Sequence, residues 1–262
     1  MTRNSFEKPI SLSLRKLIKK TVQALNDSLL ARAGVRLVRA GRPTRNFAEF
    51  FRHVKQLGFD PQTVVDVGVA YGTDDLYVAF PRSKFYLIEP VEEFAPYITV
   101  LQSRYAIEYI KVAAGAASGQ IKLNIHPDPC RTSALTRAYI EQRTVPVITL
   151  DELLLQKPCA PPVLLKLDIE GHELHVLDGA AELLQHVGLL ILEVRLISYV
   201  DGLPEFTQVV DYMTAHNFVL YDILDGGYRP LDGALEMMDL VFVPGGSPLR
   251  KEKRFSADGG DW

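Results

Sequence analysis

The pattern of hydrophobic and polar positions first predicts two helices. Apolar residues recur near helical spacing in residues 11–31, which predicts a helix there. A second helix is expected to begin at Asn46, because Asn46 and Glu49 stand at capping-box spacing and apolar residues line one face behind them. Gly58 is placed to end that helix, since glycine readily adopts the left-handed conformation of a helix terminus.

From residue 63 onward, short apolar runs alternate with segments of helical period. The predicted strands are 63–67, 84–88, 108–113, 119–125, 163–167, 189–194, 218–223 and 239–243. The predicted helices are a short one after Gly72 and further ones over 91–103, 151–156, 173–184 and 206–215. Strands that alternate with helices predict an α/β fold with a mainly parallel, doubly wound sheet.

Residues 125–145 form a longer and more irregular connection than the others. A long loop near the carboxyl end of a strand is a candidate substrate lid, and a plain surface loop is the alternative. Within it, Arg131, Thr132 and Ser133 could hydrogen-bond a polyhydroxylated compound, and we assign Arg131 and Ser133 to substrate binding.

Composition narrows the class of protein. The chain has 262 residues, of which 47% are hydrophobic and 23% charged, which suits one large core. The two cysteines cannot form a disulfide framework and suit a reducing cytoplasm, where we expect the protein. We expect no signal peptide, because the N-terminus has no apolar run followed by a cleavage site. We also expect no transmembrane segment, because the longest apolar stretch is interrupted by Glu193 and Arg195.

Charge is distributed unevenly along the chain. Residues 1–45 contain eleven Lys and Arg against two acidic residues, a net charge of +9, which leaves −12 for the remainder. We predict a basic helical extension over 1–45, a single α/β domain over 46–248 and a polar tail over 249–262. The extension could contact an anionic membrane surface or simply be a solvated helix. The acidic body disfavours a nucleic-acid partner, and homo-oligomer formation is left open.

The segment from Val64 to Gly72 is the most informative motif. A β-branched strand leads into Asp66, and Gly68 and Gly72 follow four residues apart before a helix. In an open parallel sheet, ligands bind beyond the carboxyl ends of the strands. The spacing differs from the Gly-x-Gly-x-x-Gly turn that seats a pyrophosphate, and Asp74 and Asp75 in the next helical turn would repel one. The motif therefore favours a cofactor without phosphate, such as S-adenosylmethionine, over NAD.

Glu89 ends the next predicted strand, about 17 residues after Gly72. A carboxylate at this position can accept hydrogen bonds from both hydroxyls of a ribose. The alternatives are that Asp66 caps the turn and that Glu89 is a solvated strand end. Taken together, their spacing predicts a cofactor site that includes Asp66 and Glu89.

Over residues 46–243 the chain resembles the FkbM-like family of S-adenosylmethionine-dependent methyltransferases. The resemblance rests on the segments 65–72, 88–90, 147–151 and, above all, 165–173 (LKLDIEGHE) with 176–180 and 191–193 after it. It implies a Rossmann-like class I methyltransferase fold with seven strands, S-adenosylmethionine as cofactor, and methylation of a hydroxyl on a sugar, glycolipid, polysaccharide or natural product. The family usually has Asn at the position of Ala70, so Ala70 is assigned no side-chain contact. The expected cofactor residues are Asp66, Gly68, Tyr71, Gly72, Glu89, Ala113, Ala114 and Asp168.

Candidate reacting groups follow the fourth main strand. Asp168 ends that strand, and Glu170 and His172 lie in the turn after it. Because an alcohol is a poor nucleophile until it loses its proton, a general base is useful. We expect Asp168 or Glu170 to orient the acceptor or take its proton, with His172 as the rival base. Glu193, at the end of the neighbouring strand, is assigned to substrate binding or to pairing with Lys166.

Other interpretations of the motifs stay open. We expect no metal, although Asp168 and Glu193 are oxygen ligands of the kind that Mg²⁺ prefers, and they form the metal alternative. An NAD-dependent oxidoreductase is a second enzyme class, and a non-catalytic binding module on a methyltransferase fold is a third possibility. Lys166 could neutralise nearby acids, Glu173 could stabilise a helix N-terminus, and His175 is expected on the surface.

Overall fold

A computed structural model describes residues 45–126, 132, 141–200 and 202–254. The helix predicted over 11–31, almost all of the basic extension and residues 255–262 of the polar tail lie outside these ranges. The predicted boundaries at residues 45 and 248 stay predictions. No helix in the described ranges combines the length and the apolar character that crossing a bilayer requires.

Seven strands form the main sheet in the order β3-β2-β1-β7-β8-β10-β9. Its first five strands, β3, β2, β1, β7 and β8, are parallel to one another, and β10 runs antiparallel to both β8 and β9. The seven-stranded, mainly parallel sheet predicted from the sequence is confirmed. Its strands are β1 Thr63–Val67, β2 Lys84–Ile88, β3 Ile107–Ile110, β7 Val163–Leu167, β8 Val187–Arg195, β9 Phe218–Tyr228 and β10 Leu235–Pro244.

Three further strands form a small second sheet in the order β4-β6-β5. They are β4 Ala113–Ala114, β5 Gly119–Ile125 and β6 Glu141–Ile148, and β5 and β6 pair antiparallel over their full lengths. The predicted strand over 108–113 is wrong in its second half, because a turn closed by the N–H of Val112 and the C=O of Ile110 takes the chain out of the main sheet. The predicted long loop over 125–145 is also too long, since residues 141–148 belong to β6.

Helices cover both faces of the main sheet, and each face has its own hydrophobic core. They are α1 Phe47–Gln56, α2 Asp74–Ala79, α3 Ala95–Gln102, α4 Leu150–Gln156, α5 Glu173–Asp178, α6 Ala181–Leu184 and α7 Phe206–Ala215. Asn46 and Glu49 form the predicted capping box of α1, and Thr149 caps α4 through the N–H of Glu152. The strand β7 is buried along its whole length, as its apolar sequence predicts.

The single helix predicted over residues 173–184 is two helices in the structure. The segment 173–184 breaks between α5 and α6, where the carbonyl of Gly179 accepts the N–H of Asp151. The carboxylate of Asp151 then accepts the N–H groups of Glu182 and Leu183 and so caps α6. A side-chain cap from a distant helix therefore starts a new helix where periodicity alone predicts a continuation.

Candidate functional site

A cleft of about 660 Å³ lies at the carboxyl ends of the central strands. Four strand ends converge on it, those of β2, β1, β7 and β8, which are neighbours in the sheet. The small sheet lines another part of the cleft, with Gln120, Ile121, Leu123 and Val147. The position is the one where open α/β sheets bind ligands, and the volume is in the range of small-molecule sites.

The turn after β1 enters the cleft in a left-handed conformation. Gly68 has φ of +79°, and a Cβ at this position would lie 1.8 Å from the carbonyl oxygen of Asp168. Glycine is therefore required here because the turn after β7 packs against it. Ala70, with φ of +46°, also lies in the left-handed region, which residues other than glycine and asparagine rarely adopt. The conformation of this turn is thus fixed by its packing against the turn after β7 and by its own hydrogen bonds.

Glu89 holds the turn in place from the neighbouring strand. One carboxylate oxygen accepts the N–H of Ala70 at 3.1 Å, and the other accepts the N–H of Val91 at 2.8 Å. Glu89 is only 4% exposed, so it is not the solvated strand end that was the alternative. Burial raises the pKa of Glu89 to about 7, although the hydrogen bonds from Val91 and Ala70 act to lower it. Glu89 also lines the cleft.

Asp66 lies beneath the cleft and does not line it. Its carboxylate is fully buried and accepts a hydrogen bond from the hydroxyl of Tyr77 at 2.9 Å, so it joins β1 to α2. Its second oxygen lies 4.0 Å from the ammonium of Lys166 and has no hydrogen-bond partner in the described structure. Burial raises the pKa of Asp66, while Lys166 and Tyr77 offset part of this. Asp66 therefore supports the turn from below through Tyr77, whose hydroxyl also accepts the N–H of Thr73 at 3.4 Å. Its assignment to cofactor binding stays a prediction.

Lys166 connects this buried pair to the surface of the cleft. It is buried in β7, beside Asp66 in the register, and its ammonium bonds the carboxylate of Asp168 at 2.8 Å. Burial alone would lower the pKa of Lys166, but the charges of Asp168 and Asp66 raise it above its usual range. The prediction that Lys166 neutralises nearby acids is confirmed. Asp168 is itself partly exposed and lines the cleft.

Glu170 is held by an arginine that the sequence pattern did not single out as functional. The guanidinium of Arg195 pairs with Glu170 through one nitrogen and with Glu236 through another, the latter at 2.8 Å. Glu170 has φ of +59°, so this ion pair fixes a residue in a strained backbone conformation. Arg195 also stacks on the ring of Tyr199, 4.8 Å from its centroid. Glu170 is thus a paired group at the cleft and not an isolated base.

The two histidines of the motif differ in burial. His172 is half-buried, and its Nε2 has no hydrogen-bond partner in the described part of the chain. Burial, and then the nearby His175, lower the pKa of His172, so the ring is neutral at pH 7. His175 is exposed, as predicted, with its Nδ1 4.0 Å from Asp178. Both rings line the cleft.

Glu173 stabilises the turn between β7 and α5 from within. Its buried carboxylate accepts the N–H groups of Ile169 at 3.0 Å and Gly171 at 3.1 Å. Burial raises the pKa of Glu173 to about 7, although hydrogen bonds, including these, act to lower it. Glu173 lies at the start of α5, where a role in stabilising the helix N-terminus was predicted. Its hydrogen-bond partners are backbone N–H groups of the turn before the helix.

Glu193 lies on the far side of the cleft from Glu89. It stands directly opposite Asp239 in the pairing of β8 with β10, on the same face of the sheet. Burial raises the pKa of Glu193 to about 9, and the charges of Asp168, Glu170 and Glu173 add to this, whereas Arg195 lowers it. In the described part of the chain Lys166 pairs with Asp66 and Asp168 and not with Glu193, so that alternative for Glu193 is wrong.

The cleft brings together most of the predicted site residues. Arg131 and Ser133 lie outside the described residues, and Asp66 is the predicted cofactor residue that does not reach the cleft. Thr132 lines the cleft, and its hydroxyl accepts the N–H of His126 at 3.1 Å. The predicted residues that line the cleft are Gly68, Tyr71, Gly72, Glu89, Ala113, Ala114, Asp168, Glu170, His172 and Glu193.

Sequence reasoning missed Arg195 and the wall formed by the small sheet. A charged residue in a strongly apolar strand was the available signal for Arg195, because a buried charge needs a partner. Within the described ranges, no three histidine, cysteine or acidic side chains come together in a way that could hold a metal ion. The magnesium alternative at Asp168 and Glu193 therefore gains no support.

Comparison with known proteins places this cleft inside a recognised domain. A model of the FkbM methyltransferase domain matches residues 66–220. The hexuronic acid methyltransferase AglP of Haloferax volcanii is 25% identical over 155 residues, which are 59% of this chain and 64% of that protein. The matched part of this chain thus spans less than two thirds of that relative.

Solved methyltransferase structures are similar to this chain at low sequence identity. A 1,6-didemethyltoxoflavin-N1-methyltransferase of Burkholderia thailandensis, solved with S-adenosylhomocysteine, has 13% identity and a TM-score of 0.42, covering 91% of this chain and 93% of its own. An rRNA methylase of Streptococcus thermophilus has 15% identity and a TM-score of 0.43, covering 79% of this chain and 99% of its own.

Proposed function

This chain belongs to the FkbM family of S-adenosylmethionine-dependent methyltransferases, and we propose that it methylates a hydroxyl group of a saccharide. The saccharide would be a sugar, a glycolipid or polysaccharide, or the sugar-like part of a natural product. The observation that carries the proposal is a single cleft that both the turn after β1 and the turn after β7 enter. Donor and acceptor could therefore meet in one cavity.

The donor side of the cleft extends from β2 to β7. Glu89 lines it at the end of β2, where a carboxylate can accept the hydroxyls of a ribose. Its carboxylate oxygens keep acceptor capacity beyond their two backbone bonds, because each has two lone pairs. Tyr71 and the short strand Ala113–Ala114 line the same side. Once bound, S-adenosylmethionine supplies an electrophilic methyl group on a positively charged sulfur.

The residues present fit this cofactor better than a dinucleotide. The cleft offers a buried carboxylate at the expected ribose position, and Asp74 and Asp75 stand at the start of α2. Acidic side chains at a helix N-terminus oppose the binding of a phosphate group. This supports S-adenosylmethionine over NAD and leaves the oxidoreductase alternative without a structural argument.

Asp168 is the residue that we assign to the acceptor. Lys166 bonds one of its carboxylate oxygens, and the other has no hydrogen-bond partner among the described residues. That second oxygen can accept the hydrogen bond of an acceptor hydroxyl and orient it towards the methyl group. Positioning of this kind supplies a large part of the rate in a displacement reaction, and uptake of the proton adds to it.

Glu170 and His172 have different roles in this proposal. The pairing of Glu170 with Arg195 supports a positioning role, since the ion pair holds the turn that carries Asp168. His172 remains the rival base, because its buried Nε2 is unpartnered in the described structure and its ring is neutral at pH 7.

The acceptor class draws its support from the relative AglP, whose name states that it methylates a hexuronic acid. A saccharide acceptor also suits a cleft whose walls combine carboxylates, a hydroxyl from Thr132 and apolar side chains.

The test is methyl transfer from labelled S-adenosylmethionine. The protein would be incubated with a panel that contains neutral hexoses, hexuronic acids and polysaccharides, and labelled products would be analysed by mass spectrometry. We expect a methyl ether on at least one saccharide. The absence of any labelled saccharide, with donor binding intact, would overturn the acceptor proposal.

Variants separate the roles of the acceptor residues. Asp168→Asn is expected to lower turnover by about 100-fold or more, the usual effect of losing a general base, whereas Glu182→Gln on the exposed surface of α6 leaves turnover unchanged. His172→Asn is expected to have a smaller effect than Asp168→Asn. The reverse order would assign the base to His172.

A further inference from the structure

The connection between β8 and α7 carries an exposed aromatic ring close to Asp168, the residue assigned to the acceptor. Because β7 and β8 are parallel neighbours, residues 196–200 leave the sheet at the same edge as Asp168. Within this connection, the side chain of Tyr199 is exposed, with 59% of the residue accessible. Glu89 follows β2, and β1 and β7 lie between β2 and β8. Tyr199 is therefore on the acceptor side of the cleft, away from the proposed ribose position.

Arg195 holds the ring of Tyr199 from one side. Its guanidinium lies over the ring, with Cζ 4.8 Å from the ring centroid, and a cation in this position is attracted by the face of a tyrosine ring. Arg195 is itself buried and is fixed by its ion pairs with Glu170 and Glu236. Since the guanidinium covers one face and the residue is still more than half exposed, the opposite face of the ring is open to solvent.

Hydrogen bonds fix the backbone that carries Tyr199. The N–H of Ser198 donates to the carboxylate of Glu205 at 2.8 Å, and the hydroxyl of Ser198 donates to the carbonyl of Val200 at 2.8 Å. A single exposed apolar residue is normal on a protein surface. A ring that is already oriented by its neighbours differs from that case, because it loses little conformational entropy when a ligand packs on it.

The same connection packs against the turn after β7. A Cβ at Gly171 would lie 2.7 Å from Cδ2 of Leu203, so the side chain of Leu203 lies directly against this turn. The ion pair of Arg195 with Glu170 is a second link between the connection and the turn. Glu170 lines the cleft, and Tyr199 stacks on the guanidinium that bonds Glu170. Tyr199 is thus at the rim of the cleft, separated from a residue of its wall by one guanidinium.

The position at the rim indicates which part of an acceptor would reach the ring. The cleft of about 660 Å³ has to hold the donor together with the reacting unit of the acceptor. When that unit has its hydroxyl at Asp168, the next unit of the acceptor lies towards the rim. A pyranose ring has a face of C–H groups, and packing this face on an aromatic ring buries apolar surface.

We propose that Tyr199 binds the second saccharide unit of the acceptor, so that the protein prefers an oligosaccharide or glycoside to a free monosaccharide. This inference rests on the proposed transfer to a saccharide hydroxyl. Tyr199 is then a specificity-determining residue that contacts the acceptor outside the reacting unit. Arg195 positions it and at the same time holds Glu170 on the turn that carries Asp168.

Paired acceptors test this by steady-state kinetics at saturating S-adenosylmethionine. Each monosaccharide is compared with a disaccharide that carries the same unit at its non-reducing end: glucose with cellobiose, galactose with lactose, and galacturonic acid with digalacturonic acid. We expect the KM of the disaccharide to be about tenfold lower than that of its monosaccharide, on the scale of burying one face of a ring. Saturation-transfer NMR with the same sugars, in the presence of S-adenosylhomocysteine, compares their binding without turnover.

Variants of Tyr199 separate stacking from other contacts. Tyr199→Ala is expected to make the two KM values of a pair equal, with a much smaller effect on kcat. Tyr199→Phe keeps the ring and is expected to retain the preference for the disaccharide, whereas Tyr199→Leu, which has no flat ring, is expected to lose most of it. Tyr228→Ala removes another exposed tyrosine, on β9, and is the matched control that is expected to behave as the wild type. Thermal unfolding checks that each variant is folded.

A purely structural role for Tyr199 predicts a different result. If the ring only shields Arg195, Tyr199→Ala would lower kcat equally with both acceptors of a pair, and the preference would survive. That result would overturn the inference, as would equal KM values in the wild type. For a pair that gives no turnover, the NMR signals decide in the same way, and absence of binding by all three disaccharides also overturns it. These outcomes leave donor binding and methyl transfer intact, whereas the proposed function itself fails if no saccharide of the wider panel is labelled.

Discussion

The hydroxyl of Tyr77 donates a hydrogen bond of 2.9 Å to the buried carboxylate of Asp66. Asp66 opens the cofactor motif in the sequence, yet its side chain points into the packing between β1 and α2. The motif predicts that Asp66 contacts a ligand, whereas in the structure Asp66 supports the turn after β1 through its hydrogen bond with Tyr77.

Tyr77→Phe removes this hydrogen bond and leaves a buried carboxylate with only a distant ammonium. We expect the free energy of unfolding to fall by about 1–3 kcal/mol, because an unsatisfied buried group costs its desolvation free energy. Chemical denaturation measures the change. Tyr105→Phe is the matched control, since Tyr105 packs against the ring of Tyr77 and shows no hydrogen bond of its own hydroxyl in the described structure. A loss no greater than that of the control would contradict this role for Tyr77.

Ala70 adopts φ of +46° at the centre of the turn after β1. Ala70→Gly is expected to raise the free energy of unfolding by about 1 kcal/mol, because a left-handed conformation costs a residue with a Cβ that amount or more. Ala70→Asn is expected to give a smaller gain, since asparagine tolerates the region better than alanine does. Ala48→Gly, in the helix α1, should instead lower stability. Destabilisation by Ala70→Gly would show that the turn is not strained.

Arg195 joins Glu170 on the β7 turn to Glu236 on β10. Arg195→Met removes the guanidinium that pairs with both carboxylates, and we expect destabilisation of about 3 kcal/mol, as for other buried ion pairs that lose one member. The double variant Arg195→Met/Glu170→Gln should recover part of that loss, because it also removes one of the two carboxylate charges that paired with the guanidinium. Denaturation of the two single variants and the double variant measures the coupling. Strictly additive effects would mean that the pair contributes nothing.

Glu173 is expected to make stability depend on pH. Its folded pKa of about 7 lies above the usual value of a glutamate, so its contribution to stability is fully present below about pH 4.5 and is lost as the pH rises through 7. Glu173→Gln keeps an acceptor for the two backbone N–H groups and cannot ionise. The variant should therefore gain stability over the wild type between pH 5 and pH 8, by up to about 3 kcal/mol. Thermal unfolding across this range, with Glu182→Gln as control, tests the sign. A constant difference between variant and wild type would refute it.

Local patterns predicted the order of the elements well and their continuity less well. The cap at Asn46 and the apolar run of β7 depend on neighbours in sequence, and both are confirmed. The break between α5 and α6 depends on Asp151, which caps α6 from 31 residues away. Periodicity carries no information about such a contact.

In the candidate site, too, the positions of residues along the strands were predictable, whereas contacts between side chains distant in sequence were not. Residues at strand ends, such as Glu89 and Asp168, were predicted to meet because the carboxyl ends of parallel strands share one edge of a sheet. The partners of those residues were not predictable, because Lys166, Arg195 and Tyr77 reach them through side-chain packing between strands and helices.

The central claim is that the cleft between β2 and β8 binds S-adenosylmethionine through Glu89. Titration calorimetry of the full chain with S-adenosylmethionine, and separately with NAD, tests it most directly. We predict binding of S-adenosylmethionine at one site per chain, weakened about tenfold or more in Glu89→Gln and unchanged in Glu182→Gln, with no binding of NAD. Absence of binding to the folded wild type, or equal affinity in Glu89→Gln, would contradict the claim.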